Sequence, residues 1–463
     1  MEQISANRLL AGLYEQGTVK DEPISAVVTD SRKIEPGCVF VCFPGERTDG
    51  HSYAADAIRQ GAAYVVANHP VEGVPKRQLV LVPSSHMAMV RMGANYRNMF
   101  FPKMIGVTGS VGKTTTKEFC YAVVSAFGSS IKTEGNQNNE IGMPNTLFRL
   151  NSDTEYAVVE MGMSALGEIL RLSRAARPSA GIITCIGVSH MENLGSRDNI
   201  LKAKLELCAG LPDGAPLALN GDDEYLRKAE TEQQIPERLC PVWYGIEDER
   251  CDVRAENIQI VENGQKFTLH DAKNGSFEVF IPTLGRHNVY NALAAYAAAT
   301  RLGLDPARCA AALSDYKTTG MRQNVVHKNG LTVVEDCYNA SPDSMRASLQ
   351  MFRELDAKGG RKFALLGDML ELGSIEAQAH AQVGEMAADA GIDGLAAVGR
   401  ASKGMAEAAQ KKGLNAVWCE NAQQALDWLR ANLKEGDLLL AKASRGMKLE
   451  NILKALYGEQ PLQ

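Results

Sequence analysis

The chain has no excess of positive charge: 49 Lys and Arg stand against 55 Asp and Glu, a net charge of -6 over 463 residues. Without a basic footprint, nucleic acid is not an expected partner. No apolar run approaches the roughly 20 residues of a membrane span, and Met1-Glu2-Gln3-Ile4 begins neither the basic nor the apolar part of a secretory leader. The expectation is a cytoplasmic protein with no membrane span. There are 10 cysteines but no Cys-x-x-Cys and no histidine at zinc spacing, and several cysteines lie in apolar runs such as Cys38-Val39-Phe40-Val41-Cys42. Such residues read as reduced core side chains rather than disulfide or metal ligands. Also missing are a Gly-x-Gly-x-x-Gly after the apolar run Leu331 to Val334, which argues against ordinary dinucleotide binding, and an Asn-Lys-x-Asp guanine-reading motif. Internal repeats and low-complexity segments are absent too.

What is present is organised around Gly106-Val107-Thr108-Gly109-Ser110-Val111-Gly112-Lys113-Thr114-Thr115-Thr116-Lys117. Apolar residues precede it, and the residues after it recur at helical spacing, so the glycines fall in a strand-to-helix turn. There the backbone can curl until successive N–H groups face one anion, Lys113 adds a cation, and Thr114 offers a hydroxyl to Mg²⁺. The spacing departs from the strict Gly-x-x-x-x-Gly-Lys-[Ser/Thr] pattern, because Val107 stands where the first glycine would be. A nucleotide phosphate is still the first ligand to expect.

The length suggests about three domains. Residues 1–100 alternate short apolar runs with turns, a small α/β domain. Residues 101–315 hold the phosphate loop and strand-like runs ending at Glu160, Ile186 and Asn220, a parallel sheet with crossover helices. Between Cys251 and Leu284 the pattern turns to alternation broken at Asn263-Gly264 and Asn274-Gly275, which predicts an antiparallel extension built from hairpins. Residues 316–463 alternate strand-like and helical runs, a Rossmann-like doubly wound domain with polar turns at its strand ends.

Several residues could carry chemistry. Glu160 ends a central strand and is the candidate carboxylate ligand for Mg²⁺, with His190, after the next strand, as its possible companion. Lys204 lies in a predicted helix; it is either solvated, beside the weak Lys202–Glu206 pair, or buried and able to react with CO₂ to give an anionic carbamate. The amide cluster Asn136-Gln137-Asn138-Asn139 offers donors and acceptors to a sugar or peptide. Asp30-Ser31-Arg32 and the Gly45 to His51 loop are polar turns that turn chemistry alone would also explain.

Together these stretches resemble the ATP-dependent Mur ligases of bacterial cell-wall synthesis over nearly the whole chain. The family's phosphate loop, Gly-x-Thr-Gly-x-x-Gly-Lys-Thr, is matched from Gly106 to Thr114, which accounts for the unusual spacing. Asp336-Cys337-Tyr338-Asn339-Ala340-Ser341-Pro342 and Leu366-Gly367-Asp368-Met369-Leu370-Glu371-Leu372-Gly373 resemble the members that add D-alanyl-D-alanine to UDP-N-acetylmuramoyl-tripeptide. The resemblance implies that ATP phosphates meet Thr108, Gly109, Ser110, Val111, Gly112, Lys113, Thr114 and Thr115. It implies that Asn288 and Asn291 lie near adenine and that Arg322 and Asp336 reach the nucleotide from the third domain. Thr114, Glu160 and His190 would hold Mg²⁺, and Lys204 matches a lysine carbamylated in several relatives; Lys113, Glu160, His190 and Lys204 are thus the catalytic candidates. Asp30, Ser31, Arg32, Gly45, Asp49 and His51 would meet the UDP-muramoyl part, and Asn138 with Asn139 its peptide. Two departures from the family pattern are visible: Glu335 stands where Asp is usual and Ser341 where Asn is common. A monomer suffices for this reading. A sibling ligase adding a single amino acid, or a nucleotide-dependent switch using the same loop, stays open as an alternative.

Overall fold

A computed structural model of the chain describes residues 1–14, 19–45 and 48–459. The architecture is α/β, in three successive sheet-bearing units. In the first, Val27–Val28, Val39–Val41, Tyr64–Ala67 and Leu79–Leu81 pair in parallel in chain order, beside a small antiparallel pair, Ile4–Ser5 with Pro23–Ile24. These strands are apolar throughout because both faces are covered: Val39, Val41 and Val66 enter one core, Phe40 and Val65 the other. The helix Ser85–Arg97 lies against the central unit, and its Met89, Met92 and Tyr96 share a core with Ala157 and Val159 of the central sheet.

The central sheet has nine strands, seven of them in a parallel run. Lys103–Thr108 lies between Tyr156–Glu160 and Ala180–Ile183, so their carboxyl ends open on one edge. Alternate side chains enter opposite layers, Ala157 and Val159 one, Tyr156 and Val158 the other. The predicted hairpins are present as Val253–Val261, Gly264–Asp271 and Gly275–Ile281, paired antiparallel. Against them and the helix Lys113–Ser125 packs Arg286–Arg301, whose residues Ala292 to Thr300 are all buried. Alanine suits that place, being small enough to be enclosed on every side and the best helix former.

The apolar run expected to extend the strand to Ile186 leaves the sheet at Ile183. Thr184 and Cys185 are diverted to the phosphate loop: Thr184 Oγ1 donates to the Val111 carbonyl (2.5 Å), and the Cys185 carbonyl accepts from the Ser110 N–H (2.9 Å). In the third unit the order is Asn324–Lys328, Leu331–Asp336, Leu438–Lys442, Lys362–Gly367, Gly394–Val398, Ala416–Cys419, parallel except for the first pair.

One buried ion pair closes the antiparallel extension. Arg301 Nη1 and Nη2 each lie 2.8 Å from a carboxylate oxygen of Asp271, which also accepts from Lys273 N–H (3.0 Å) and Asn274 Nδ2 (2.7 Å). Burial alone would raise the Asp271 pKa, but these bonds and the Arg301 charge outweigh it and hold the pKa below the ordinary value. A carboxyl so lowered adds stability above its unfolded value of about 3.9 and loses it as pH falls through the folded value. Asp271→Asn strands a buried guanidinium and should cost about 3 kcal/mol at pH 7. In calorimetry the gap in melting temperature between variant and wild type should narrow below about pH 4; equal melting at pH 7 would contradict this account.

Candidate active site

The strand Lys103–Thr108 ends in a loop that only glycine can close at two points. Gly109 has φ 141° and a Cβ there would collide with Thr184 Oγ1; Gly112 has φ 87° and its Cβ would lie 2.5 Å from Asn291 Oδ1. The helix Lys113–Ser125 starts directly after, so its unpaired N–H groups face the cleft at the sheet's open edge. Lys113 is half-buried, not exposed as a free loop lysine would be, and its Nζ donates to the carbonyls of Gly109 (2.8 Å) and Ser110 (3.2 Å). Burial lowers its pKa, with Glu160 pulling the other way.

The cleft holds about 380 Å³ and gathers most of the sequence-derived candidates. Ser110, Val111, Gly112, Lys113, Thr114 and Thr115 of the loop and helix start line it, with Asn138, Asn139, Glu160, His190, Asn288 and Asn291 from elsewhere in the central unit and Arg322 and Asp336 from the third. Thr108, the last residue of the strand, and Gly109, the first of the loop, do not line the cleft, and Thr108 Oγ1 donates to the Met161 carbonyl (2.8 Å).

Glu160 is 1% exposed, and its Oε1 accepts from Asn138 Nδ2 (2.7 Å). Its Oε2 has no hydrogen-bond partner among the described residues. An orphaned buried carboxylate oxygen on the cleft that Thr114 and His190 also line is what an oxygen-seeking cation would satisfy. Burial, then the Lys113 and Lys204 charges, lowers the His190 pKa, leaving the neutral ring that metals require. Lys204 is 1% exposed with no partner for Nζ among the described residues, and burial pushes its pKa well down. The solvated reading of Lys204 is therefore excluded. It does not line the cleft.

The Asn288 and Asn291 amides are already engaged. Asn288 Nδ2 lies within reach of Gln323 Oε1 (2.7 Å), Thr283 Oγ1 and the Leu284 carbonyl, while Asn291 Oδ1 accepts from Thr116 Oγ1 (3.0 Å). From the third unit, the Arg322 guanidinium stacks 4.1 Å over the Tyr338 ring, and Asp336 pairs with the buried Lys442 (2.6 Å) and accepts from Ser348 Oγ (2.7 Å). Ser341 caps the helix Pro342–Glu354 through a capping box, a task Asn performs equally well, so that departure is local.

The UDP-sugar candidates fall elsewhere. Asp30 lines a second cleft with Lys33, Glu134, Gln137, Asn145 and Arg149, which joins the first unit to the amide loop carrying Asn138 and Asn139. Asp30 caps the turn Ser31–Lys33 and pairs with Arg32, which holds its pKa down to about 2. Asp49 and His51 bind each other (Oδ1 to Nδ1, 2.6 Å) and His51 stacks on His69; with Gly45 they line neither cleft. Glu46 and Arg47 of that loop lie outside the described residues.

Sequence reasoning passed over Lys117, Gln323, Tyr338 and Lys442. Lys117 had a signal: it follows Lys113 by four residues, hence on the same helix face. It is wholly buried, donating to the Thr133 carbonyl (2.8 Å) and pairing with Glu118 Oε1 (3.0 Å), with Glu160 Oε2 at 4.0 Å. Tyr338 and Lys442 lie in polar strand-end turns that the sequence marks, but their contacts with Arg322 and Asp336 run between elements and carry no local signal; nothing local marks Gln323.

A phosphate loop facing a carboxylate and a histidine, with a Rossmann-like unit leaning over it, is the architecture of a nucleotide-using ligase. Family models match residues 23–91 (Mur ligase family, catalytic domain), 107–299 (Mur ligase middle domain) and 321–445 (Mur ligase, glutamate ligase domain). The chain belongs to the Mur ligase family. Among its relatives, the UDP-N-acetylmuramoyl-tripeptide--D-alanyl-D-alanine ligase of Bacillus subtilis (strain 168) is 40% identical over 95% of this chain and 94% of its own length. A crystal structure of MurF from Acinetobacter baumannii superposes with a TM-score of 0.88 at 28% identity, covering 99% of this chain and 100% of that one. MurF ligase from Thermotoga maritima in complex with ADP gives 0.82 at 27% identity, covering 94% and 97%.

Proposed function

We propose that this chain is the ATP-dependent ligase joining D-alanyl-D-alanine to the terminal carboxylate of UDP-N-acetylmuramoyl-tripeptide, yielding the pentapeptide precursor of peptidoglycan with ADP and phosphate. The observation that carries it is the meeting, on one cleft, of the phosphate loop, the orphaned Glu160 carboxylate and the third unit's Arg322, in a chain 40% identical to such a ligase along 95% of its length.

The carboxylate of the tripeptide is a poor acyl donor, so it first attacks the γ-phosphate, giving an acyl phosphate and ADP. Lys113, the loop N–H groups and the helix N-terminus face the charge that gathers on the transferring group. Arg322 approaches it from the third unit. The amine of D-alanyl-D-alanine then attacks the acyl carbon, and phosphate leaves as the peptide bond forms. Water would hydrolyse the acyl phosphate, so the third unit's cover over the cleft protects it. Mg²⁺ fits Thr114, Glu160 and His190, since Glu160 Oε2 lacks a partner among the described residues, and when bound it would neutralise phosphate charge.

Asp30, Ser31 and Arg32, with Gly45, Asp49 and His51 on the same unit, are the side on which we expect the UDP-muramoyl part, with Asn138 and Asn139 toward its peptide. The second cleft, which joins Asp30 to the amide loop, supports that direction. We take the domains as 1–100, 101–315 and 316–463; the separate sheets on either side of residues 100 and 315 support the division. A cytoplasmic monomer is the simplest form, and among the described residues no helix is long and apolar enough to cross a membrane.

The test is phosphate release from ATP with Mg²⁺ and UDP-N-acetylmuramoyl-tripeptide, with and without D-alanyl-D-alanine, followed by mass spectrometry. Release requiring both substrates, with the pentapeptide as product, is expected. Turnover with a single amino acid but not the dipeptide would move the chain to a sibling activity.

A further inference from the structure

The motif Leu366 to Gly373, prominent in the sequence, takes no part in the reaction as described. It is fastened within the third unit. The Asp368 carboxylate accepts from Ser402 N–H (2.8 Å) and Oγ (2.6 Å), Met369 N–H donates to His380 Nε2 (3.0 Å), and Leu370 N–H donates to Ser444 Oγ (2.9 Å). The next residue, Glu371, leaves that unit and reaches the central one. Its Oε2 lies 2.8 Å from His190 Nδ1, out of line for a hydrogen bond, and Nδ1 has no other partner among the described residues. Its carbonyl faces the Glu192 N–H at 3.4 Å.

Two further observations single out this contact. Glu371 and His190 both have φ 63°, a left-handed backbone uncommon for residues other than glycine. Such conformations persist where the surroundings impose them, and they gather at functional sites. On the other flank of the same loop, Asp343 Oδ2 accepts from the Val188 N–H (3.3 Å) without touching the imidazole. The third unit thus grips the segment 187–192 at two carboxylates, and one of them reaches the ring.

We propose that Glu371 is a positioning residue for His190: it holds the Nδ1 edge of the imidazole, leaving Nε2 for the cation, and it does so only while the third unit is docked on the central one. Assembly of the cation site is thereby tied to closure of the third unit. The inference rests on the reading of His190 as a cation-holding residue. Because the Glu371 side chain is 59% exposed, its charge alone counts for little; the orientation it imposes is what matters, as for the outer partners of metal-binding histidines generally.

The experiment titrates full-length protein with Mn²⁺ in the presence of ADP, following free Mn²⁺ by electron paramagnetic resonance, alongside hydrogen exchange of the segment 187–195 in metal-free protein. Glu371→Ala should weaken Mn²⁺ binding about tenfold, the low end for loss of an outer partner, and speed exchange in that segment. Glu371→Gln, which keeps the length of the side chain and sets an uncharged oxygen against the Nδ1 edge, should recover most of the affinity. Asp343→Ala, which removes the acceptor for the Val188 N–H, should speed exchange but leave Mn²⁺ affinity within about twofold, as it loosens the loop without freeing the ring. Wild-type affinity in Glu371→Ala, or equal loss in Asp343→Ala, would overturn the positioning role. Failure of the wild type itself to bind Mn²⁺ with ADP would overturn the reading of the cation site beneath it.

Discussion

Phosphate release from ATP should fall by about 10³-fold or more in Lys113→Ala, with the melting temperature nearly unchanged. The two halves of that expectation have separate causes. Without nucleotide, the Lys113 ammonium rests on the carbonyls of Gly109 and Ser110, and the side chain itself lines the cleft, where water can take its place. Removing the side chain therefore deletes little folding energy. With nucleotide, the loop's N–H groups and Lys113 share the charge of the phosphates, and the lysine is the one full positive charge the loop itself brings. Its demand peaks as the phosphoryl group transfers, so the loss should appear in kcat more than in the KM for ATP. A stopped assay of phosphate release at saturating substrates, paired with a melting curve, checks both halves. Turnover within about tenfold of wild type would remove Lys113 from the mechanism.

How much of this was legible in the sequence follows from how local each signal is. The strand-to-helix turn at Gly106 to Lys117 is local chemistry, and so are the hairpins at Asn263-Gly264 and Asn274-Gly275; all three stand where the residues put them. Buried parallel strands were visible as apolar runs for the same reason. Five strands were not: Ile4–Ser5 and Pro23–Ile24 are two residues each. Ser130–Lys132 is only three residues long and half-exposed, Cys240–Gly245 begins with two exposed residues, and Asn324–Lys328 is a polar edge strand that exists by pairing with Leu331–Asp336. The diversion of Thr184 and Cys185 from strand to phosphate loop also escapes a periodicity argument, since apolar content continues to Ile186 while the backbone does not.

The site divides in the same way. That Glu160 and His190 would face the cleft was legible because one ends and the other follows a strand of the central sheet, a position that topology makes special. The burial of Lys204 was not, because a lysine's spacing in a helix does not say whether the facing element is water or protein. Nor were the contacts of Glu371 with His190 or Lys442 with Asp336, which join residues more than 100 positions apart. Asp49 and His51 show the opposite case: a conspicuous polar turn whose side chains the structure finds bound to each other.

Lys117 is where stability and chemistry meet, and Lys117→Met should damage both. Its ammonium holds the Thr133 carbonyl, pairs with Glu118 and stands 4.0 Å from Glu160 Oε2. Methionine keeps the volume but leaves two buried carboxylates, Glu118 with only Lys132 and Glu160 with only Asn138. Breaking a buried pair from one side costs about 3 to 5 kcal/mol, because the remaining charge is uncompensated. The catalytic loss follows from the same bonds: Thr133 Oγ1 accepts from the Glu160 N–H (3.0 Å), so loosening Thr133 shifts the carboxylate expected to hold the cation. A fall in phosphate release of about 10²-fold is expected, the scale that small misplacements of a catalytic group produce. A second substitution separates the two effects. Adding Glu118→Gln removes one of the stranded charges and should restore part of the stability, measured by denaturant unfolding, while leaving turnover low because Glu160 still lacks its neighbouring cation. If the double variant regained activity along with stability, Lys117 would be a folding residue only. Two lysines one turn apart on a single helix would then divide cleanly, one for chemistry and one for the fold; the expected result instead gives Lys117 a share in both.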